Sequence, residues 1–129
     1  MQHYTTIEQS KKLVELGLSP DTADMFYSRR PTKKSKYGVF PDFKPEGRLE
    51  VFTKVDLPCW SLGALLEVMP EIDNQLPSLR KYKNYYCVVY SDNVTRLGDN
   101  QWQNGKTPAE AAYNMVVWLL ENGYIDKEE

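Results

Sequence analysis

A helix close to the C-terminal end constrains the fold most, because it is apolar around most of its circumference. Thr107 is a suitable N-cap, Pro108 suits the first helical position, and Glu110 completes a capping box. The helical pattern continues to about Asn122, and Gly123 is a suitable residue to end it. A helix with so narrow a polar stripe is buried on most sides, so the rest of the chain must pack around it.

Two more helices have clear start signals. Thr5 or Thr6 can cap the first of them, and Thr5 with Glu8 fits a capping box. Ser61 caps the other, which Pro70 ends, and its apolar residues form one stripe: Leu62, Leu65, Leu66 and Met69. Both patterns predict amphipathic helices that cover a sheet or a neighbouring helix.

The strand signals lie between these helices. Tyr85–Ser91 is apolar at odd and even positions, which is typical of a central strand covered on both faces. Asp92-Asn93 is a suitable tight turn into a second strand, Val94–Leu97, which predicts an antiparallel pair. Leu49–Val55 alternates as a half-buried strand does, and Tyr37–Phe40 is a candidate edge strand.

Three other segments have weaker signals. Ser19 and Pro20 predict the start of a short helix that continues through Phe26. Residues 71–84 are a polar connection with no assigned structure, and residues 98–105 are predicted to be a loop.

The order of elements predicts an α+β domain. We expect a small mixed or mainly antiparallel sheet of three to four strands with about four helices, layer on layer, in one domain over residues 1–129. Residues 28–48 form a basic segment with several Pro and Gly, for which we expect either mobility or a short edge strand. Residues 126–129 are expected to be a solvated tail.

Composition excludes several classes of protein. The hydrophobic fraction of 41% is enough for a core, and the net charge of −2 gives no overall attraction to nucleic acid or membrane. Two cysteines are too few for a disulfide-rich secreted domain, and the first ten residues lack the apolar run of a secretory signal. We therefore expect a cytoplasmic protein without membrane contact.

The sequence does not favour an enzyme, and we expect no cofactor or metal. His3 is the only histidine, and metal-binding and nucleotide-binding motifs are missing from the sequence. Cys59 precedes a predicted helix, so it is either a reactive thiol or a packed structural one. Cys87, within an apolar run, is expected to be a buried free thiol. We assign no catalytic residue.

A basic run is the candidate nucleic-acid contact: Arg29, Arg30, Lys33, Lys34 and Lys36. No acidic residue occurs from Met25 through Pro41, and aromatic residues flank the run, as a surface that contacts phosphates and stacks on bases requires. The alternative is a solvated loop that keeps a sheet edge soluble. A second basic cluster consists of Arg80, Lys81 and Lys83, and it would strengthen the first if the two were adjacent.

Two hydrophobic residues are candidate partner contacts. Trp102 lies in a segment rich in Gly, Asn and Gln, where an aromatic side chain either packs on the loop or anchors a partner. Val117 falls within the polar stripe of the last helix, so it is either an exposed hydrophobe or a contact point. Trp118 is expected in the core.

Three stretches together resemble a group of small uncharacterised proteins of gut Bacteroidetes genomes, prophages and mobile elements: residues 6–25, residues 58–70 and residues 107–123. The resemblance implies a bacterial cytoplasmic setting and an origin in a phage-like or mobile element. The group has no established activity, so the resemblance implies no functional residue. We expect a non-enzymatic accessory or protein-interaction domain, and the alternative is a nucleic-acid-binding accessory protein that uses residues 29–36.

Overall fold

The computed structural model describes residues 2–28, 41–43, 56–90 and 102–127. Within these ranges the chain forms three α-helices, one 3₁₀ helix and six short strands. In chain order they are α1 (Ile7–Glu15), the 3₁₀ helix (Pro20–Thr22), β1 (Met25–Tyr27), β2 (Asp42–Phe43), β3 (Leu57–Cys59), α2 (Leu62–Val68), β4 (Ser78–Lys81), β5 (Tyr86–Val89), β6 (Trp102–Gly105) and α3 (Pro108–Glu121).

The described strands form two antiparallel sheets. One has the order β2-β1-β3 and the other has the order β4-β5-β6. The predicted α+β class is therefore confirmed, and both described sheets are antiparallel. The finer expectation, one sheet of three to four strands with about four helices, is not: the described residues form two sheets and three α-helices.

The larger core surrounds α3, as its apolar circumference predicts. α3 packs against α2, β5 and β6, and its buried residues include Met115, Val116, Leu119 and Leu120. The hydroxyl of Thr107 accepts a hydrogen bond from the Glu110 backbone N–H at 3.1 Å, and Gly123 ends the helix region with a φ of +78°. The predicted cap and stop of this helix are confirmed.

β6 approaches α3 very closely at Gly105. A Cβ atom at this position would lie 2.3 Å from the backbone nitrogen of Ala111, so only glycine fits. The side-chain amide of Asn114 also donates a hydrogen bond to the Asn104 carbonyl at 2.8 Å. The edge strand β6 therefore packs directly on α3 and is also hydrogen-bonded to it.

Of the two predicted caps of α1, Thr6 is confirmed, and the capping box predicted for Thr5 with Glu8 is wrong. Thr6 accepts from the Gln9 backbone N–H, and the Gln9 side chain accepts from the Thr6 N–H, which completes a capping box. Thr5 does not cap the helix because its side chain is fully buried and bonded elsewhere. The Ser61 cap of α2 is confirmed, since its hydroxyl accepts from the Ala64 N–H at 3.2 Å.

The short helix expected from Ser19 to Phe26 is wrong over its second half. The 3₁₀ helix begins at Pro20 as expected but ends at Thr22, and β1 follows. β1 is the central strand of its sheet, so pairing on both sides outweighs the weak helical propensity of this segment. Met25 and Tyr27 thereby join Leu57 and Cys59 in a second, smaller core.

Several sequence predictions fall on residues that the structure does not describe. The predicted strands at 37–40, 49–55 and 94–97 and the turn at 92–93 lie outside the described residues. So does most of the basic segment 28–48. Among the described helices, none has the length and apolar content that a membrane crossing requires.

Candidate functional site

The β4-β5-β6 sheet has one face against α3 and one face turned away from it. Val88 and Tyr86 on β5 belong to the core around α3. Side chains alternate along a strand, and directly paired residues share a face, so the remaining positions lie on the opposite side. We call this side the outer face; it consists of Ser78, Arg80, Tyr82, Tyr85, Cys87, Val89, Trp102 and Asn104.

Two tyrosines form a stack at the hairpin end of the outer face. The Tyr82 N–H donates to the Tyr85 carbonyl at 2.8 Å, which continues the β4-β5 ladder beyond the strands. Their ring centroids are 4.8 Å apart with an angle of 12° between the planes. Each tyrosine is nevertheless 40% exposed. The stack stabilises the two-residue turn between them and leaves aromatic surface open to solvent.

Trp102 lies towards the other end of the outer face. The expectation that it lies in a loop is wrong: it begins β6 and pairs with Val89 of β5. Its side chain is 54% exposed. Because Trp102 is part of a strand, its side chain has a fixed position on the sheet. The predicted partner contact therefore has a better-defined geometry than a loop would provide.

Positive charges surround these aromatic residues. Arg80 and Lys81 are on β4, Lys83 is in the β4-β5 turn, and Lys106 directly follows β6; all four are exposed. The sequence has no Asp or Glu between Asp73 and Asp92 or between Asp99 and Glu110. Within the described part of the chain, no ion pair joins these four cations to a carboxylate. The sheet is therefore cationic although the chain has a net charge of −2.

The middle of the outer face contains Cys87 and Val89, which are buried. Burial raises the pKa of the Cys87 thiol, and the positive charge of Arg80 nearby partly offsets this effect. The expectation of a buried free thiol at Cys87 is confirmed.

Cys59 is a packed structural thiol and not a reactive one. It is fully buried, and burial raises its pKa from near 9 to about 11 although bonds with Thr5 and Tyr27 act in the opposite direction. The thiolate is the nucleophilic form, so this thiol is unreactive at neutral pH. Its place beside the fully buried Thr5 links the N-terminal residues to β3.

A short hydrogen bond between Ser61 and Asp24 is a polar feature that the sequence did not predict. The Ser61 hydroxyl donates to the Asp24 carboxylate at 2.5 Å, and the Ser61 N–H donates to its second oxygen at 2.9 Å. The same hydroxyl caps α2. Helix capping accounts for the whole arrangement, because serine uses its donor and its acceptor within the fold.

The remaining predicted site residues are in two groups. Arg29, Arg30, Lys33, Lys34 and Lys36 lie outside the described residues. Val117 is half-buried and packs against the core around α3, and Trp118 beside it is half-buried and stacks on Tyr124 with centroids 5.6 Å apart. Neither side chain of this pair lies on the outer face.

Comparison with known proteins gives no match to any family model, curated protein or solved structure. Among the described residues, no three His, Cys, Asp or Glu side chains are grouped closely enough to hold a metal ion. The outer face is therefore interpreted from its own chemistry.

The sequence pattern did not single out Tyr82 and Tyr85 as a pair. Two signals could have indicated them: the long stretch without carboxylates, and the alternation of Ser78, Arg80 and Tyr82 within it. Neither signal reveals the stack, because that depends on the register of the hairpin.

Proposed function

We propose that the protein binds nucleic acid through the outer face of the β4-β5-β6 sheet and has no catalytic role. One observation carries the proposal: four exposed cations and three exposed aromatic side chains gather on or beside one sheet that has no carboxylate. Cations that contact phosphates supply most of the affinity of a non-specific nucleic-acid protein, and aromatic rings add stacking.

The test is a fluorescence-anisotropy titration of labelled DNA and RNA oligonucleotides between about 50 and about 200 mM salt. If Arg80, Lys83 and Lys106, the three cations on or beside the outer face, contact phosphates, the logarithm of the binding constant falls with the logarithm of salt concentration with a slope between about −2 and −3. No binding at the low-salt end would refute the proposal.

Charge-removing variants locate the contact. Arg80→Gln with Lys83→Gln should reduce the magnitude of that slope by about 1.5. Lys11→Gln with Lys12→Gln on α1 is the matched control, since these lysines are exposed and belong to another part of the fold. Replacement of Arg29, Arg30, Lys33 and Lys34 by Ser tests the basic run separately. If only this last variant weakens binding, the contact is in the basic run and not on the outer face.

A second candidate function, binding of a protein partner, has an observation of its own. Leu76 is 67% exposed, and a cavity of about 330 Å³ beside the edge strand β4 is lined by Leu66, Met69, Leu76, Pro77 and Leu79 together with Glu67. Replacing Leu76 by Ser should leave oligonucleotide binding unchanged and reduce self-association, measured by sedimentation, if the partner is a second copy. The resemblance to proteins of phage-like and mobile elements fits an accessory role of either kind.

A further inference from the structure

We infer that the outer face takes single-stranded nucleic acid, with one base on the Tyr82–Tyr85 stack and another on Trp102. This inference rests on the proposed function and adds the class of ligand. The shared chemistry is an unpaired base on a phosphate backbone, which DNA and RNA both supply.

The spacing of the aromatic residues favours unpaired bases. Tyr85 directly precedes β5 and Val89 ends it, so the two residues are four positions apart, a distance of roughly 13 Å along an extended chain. Trp102 lies opposite Val89 on the neighbouring strand. Successive bases of a duplex strand are stacked about 3.4 Å apart and cover each other's faces. Two protein rings this far apart on a sheet can therefore only meet bases that have left such a stack.

The rings of Tyr82, Tyr85 and Trp102 are accessible to a base. Tyr27 and Tyr90, by contrast, are almost fully buried, and their hydroxyls donate to backbone carbonyls at 2.7 Å. The rings of Tyr82 and Tyr85 contact each other and remain 40% exposed, and Trp102 is 54% exposed. A base that stacks on such a ring removes its apolar surface from water, which is favourable.

The charges fit a nucleic-acid strand that follows the exposed side chains past the buried Cys87 and Val89, from one aromatic position to the other. Arg80 lies between the tyrosine stack and the Trp102 end on β4, and Asn104 is opposite Cys87 on β6. Arg80 can contact the phosphates between the two bases. The Asn104 amide has donors and an acceptor for the edge of an unpaired base. Lys83 extends the positive charge beyond the hairpin end. Lys81 pairs with Tyr86 and so lies on the other face of the edge strand β4.

The experiment compares three labelled probes of about 12 nucleotides, within the range of known single-strand site sizes. The probes are oligo(dT), a duplex that contains the same strand, and an abasic strand with the same phosphates and no bases. We expect oligo(dT) to bind tightest and the abasic strand to bind at least about 10-fold more weakly. An oligo(U) arm distinguishes RNA from DNA.

Aromatic variants test the two stacking positions. Trp102→Ala and Tyr85→Leu should each weaken oligo(dT) binding by roughly 5- to 100-fold and leave abasic-strand binding unchanged, while Trp102→Phe retains most of the affinity. Phe43→Leu is the matched control, since Phe43 is 70% exposed on β2 and does not belong to the outer face. Thermal denaturation shows that each variant is folded.

The outcomes separate the inference from the function on which it rests. Equal affinity for oligo(dT) and the abasic strand, or tighter binding of the duplex, overturns the stacking inference while nucleic-acid binding stands. An unchanged affinity in Trp102→Ala and Tyr85→Leu also overturns it. If none of the probes binds at low salt, both the inference and the proposed function are wrong.

Discussion

Two pairs of tyrosines in this protein differ in burial and in the partners of their side chains. Tyr27 and Tyr90 are buried, and each hydroxyl has a backbone carbonyl as its partner. Tyr82 and Tyr85 stack on each other at the surface of the sheet. The first pair satisfies the rule that a buried polar group needs a hydrogen bond, so it contributes to stability. The second pair has aromatic surface left over, so it is available for a ligand.

The contrast extends to the surroundings of each pair. Around Tyr27, the side chains of Thr5, Ser10 and Cys59 form one buried network that joins the N-terminal residues to β1 and β3. Around Tyr82 and Tyr85 lie exposed cations without carboxylate partners among the described residues. Mutations in the network should change stability alone, and mutations of the exposed side chains on the outer face should change binding alone.

The largest expected effect comes from disrupting the contact between β6 and α3, which lies on the side of the sheet opposite the outer face. In Gly105→Val the new Cβ would collide with the α3 backbone at Ala111, so β6 must separate from the helix. We expect a loss of about 3 kcal/mol in the free energy of unfolding, measured by urea denaturation. Gly63→Ala on α2 is the control: its nearest neighbour is 3.8 Å away, so it should stabilise the protein slightly. Equal stability of the two variants would contradict the close packing of β6 on α3.

The next effect concerns the buried network. Thr5→Val removes the hydroxyl that bonds to Ser10 at 2.7 Å and accepts from the Trp60 N–H at 3.1 Å. Two buried polar groups lose a partner, so the free energy of unfolding should fall by about 2 kcal/mol or more. Oligonucleotide affinity of the folded variant should stay at the wild-type value. A change in affinity without a change in stability would contradict the expectation that the buried network affects stability alone.

Alkaline pH provides a third test. The folded state holds the Cys59 proton more tightly than the unfolded chain does, because burial raises its pKa to about 11. Below about pH 9 both states keep the proton; above it the unfolded chain releases the proton first, so stability falls between about pH 9 and pH 11. The contribution lost is about 2 kcal/mol. In Cys59→Ala the loss of stability between pH 8 and pH 11 should be smaller by this amount. Denaturant titrations of the wild type and the variant at both pH values measure the difference. An equal loss in the two proteins would show that the folded state does not hold the thiol proton more tightly.

The smallest effects come from removing single tyrosine hydroxyls. Tyr27→Phe and Tyr90→Phe should each cost about 1 kcal/mol, since each deletes a buried hydrogen bond. Tyr82→Phe and Tyr85→Phe should change stability by less than about 0.5 kcal/mol and keep oligonucleotide affinity, because stacking needs only the ring. Urea denaturation of the four variants under one condition measures the contrast. A similar cost at all four positions would mean that the exposed pair also has a structural hydroxyl.

The helices could be predicted from the sequence because their signals are local. Ser61, Thr107 and Gly123 act within one turn of the helix they begin or end, and the structure confirms all three. The strands β1 and β3 were missed since each has three residues and depends on a partner far along the chain. β3 also contains Pro58, which reads as a break and is tolerated because β3 is an edge strand.

The candidate site could be predicted only as residue types. Trp102 was identified from its aromatic side chain, yet its strand and its place opposite Val89 follow from a pairing that has no local signal. The grouping of Arg80 with the tyrosine stack likewise depends on hairpin register. The expectation that partner contacts involve Trp102 or Val117 stays a prediction.

The three tryptophans differ in exposure, so the intrinsic fluorescence of the protein can report on separate regions. Trp60 is fully buried with its indole N–H bonded to Thr22, Trp118 is half-buried, and Trp102 is largely in solvent. An aqueous quencher such as acrylamide therefore acts first on the fluorescence of Trp102. A ligand on the outer face would shield that signal, while the emission of Trp60 would report unfolding in the same sample without any added label.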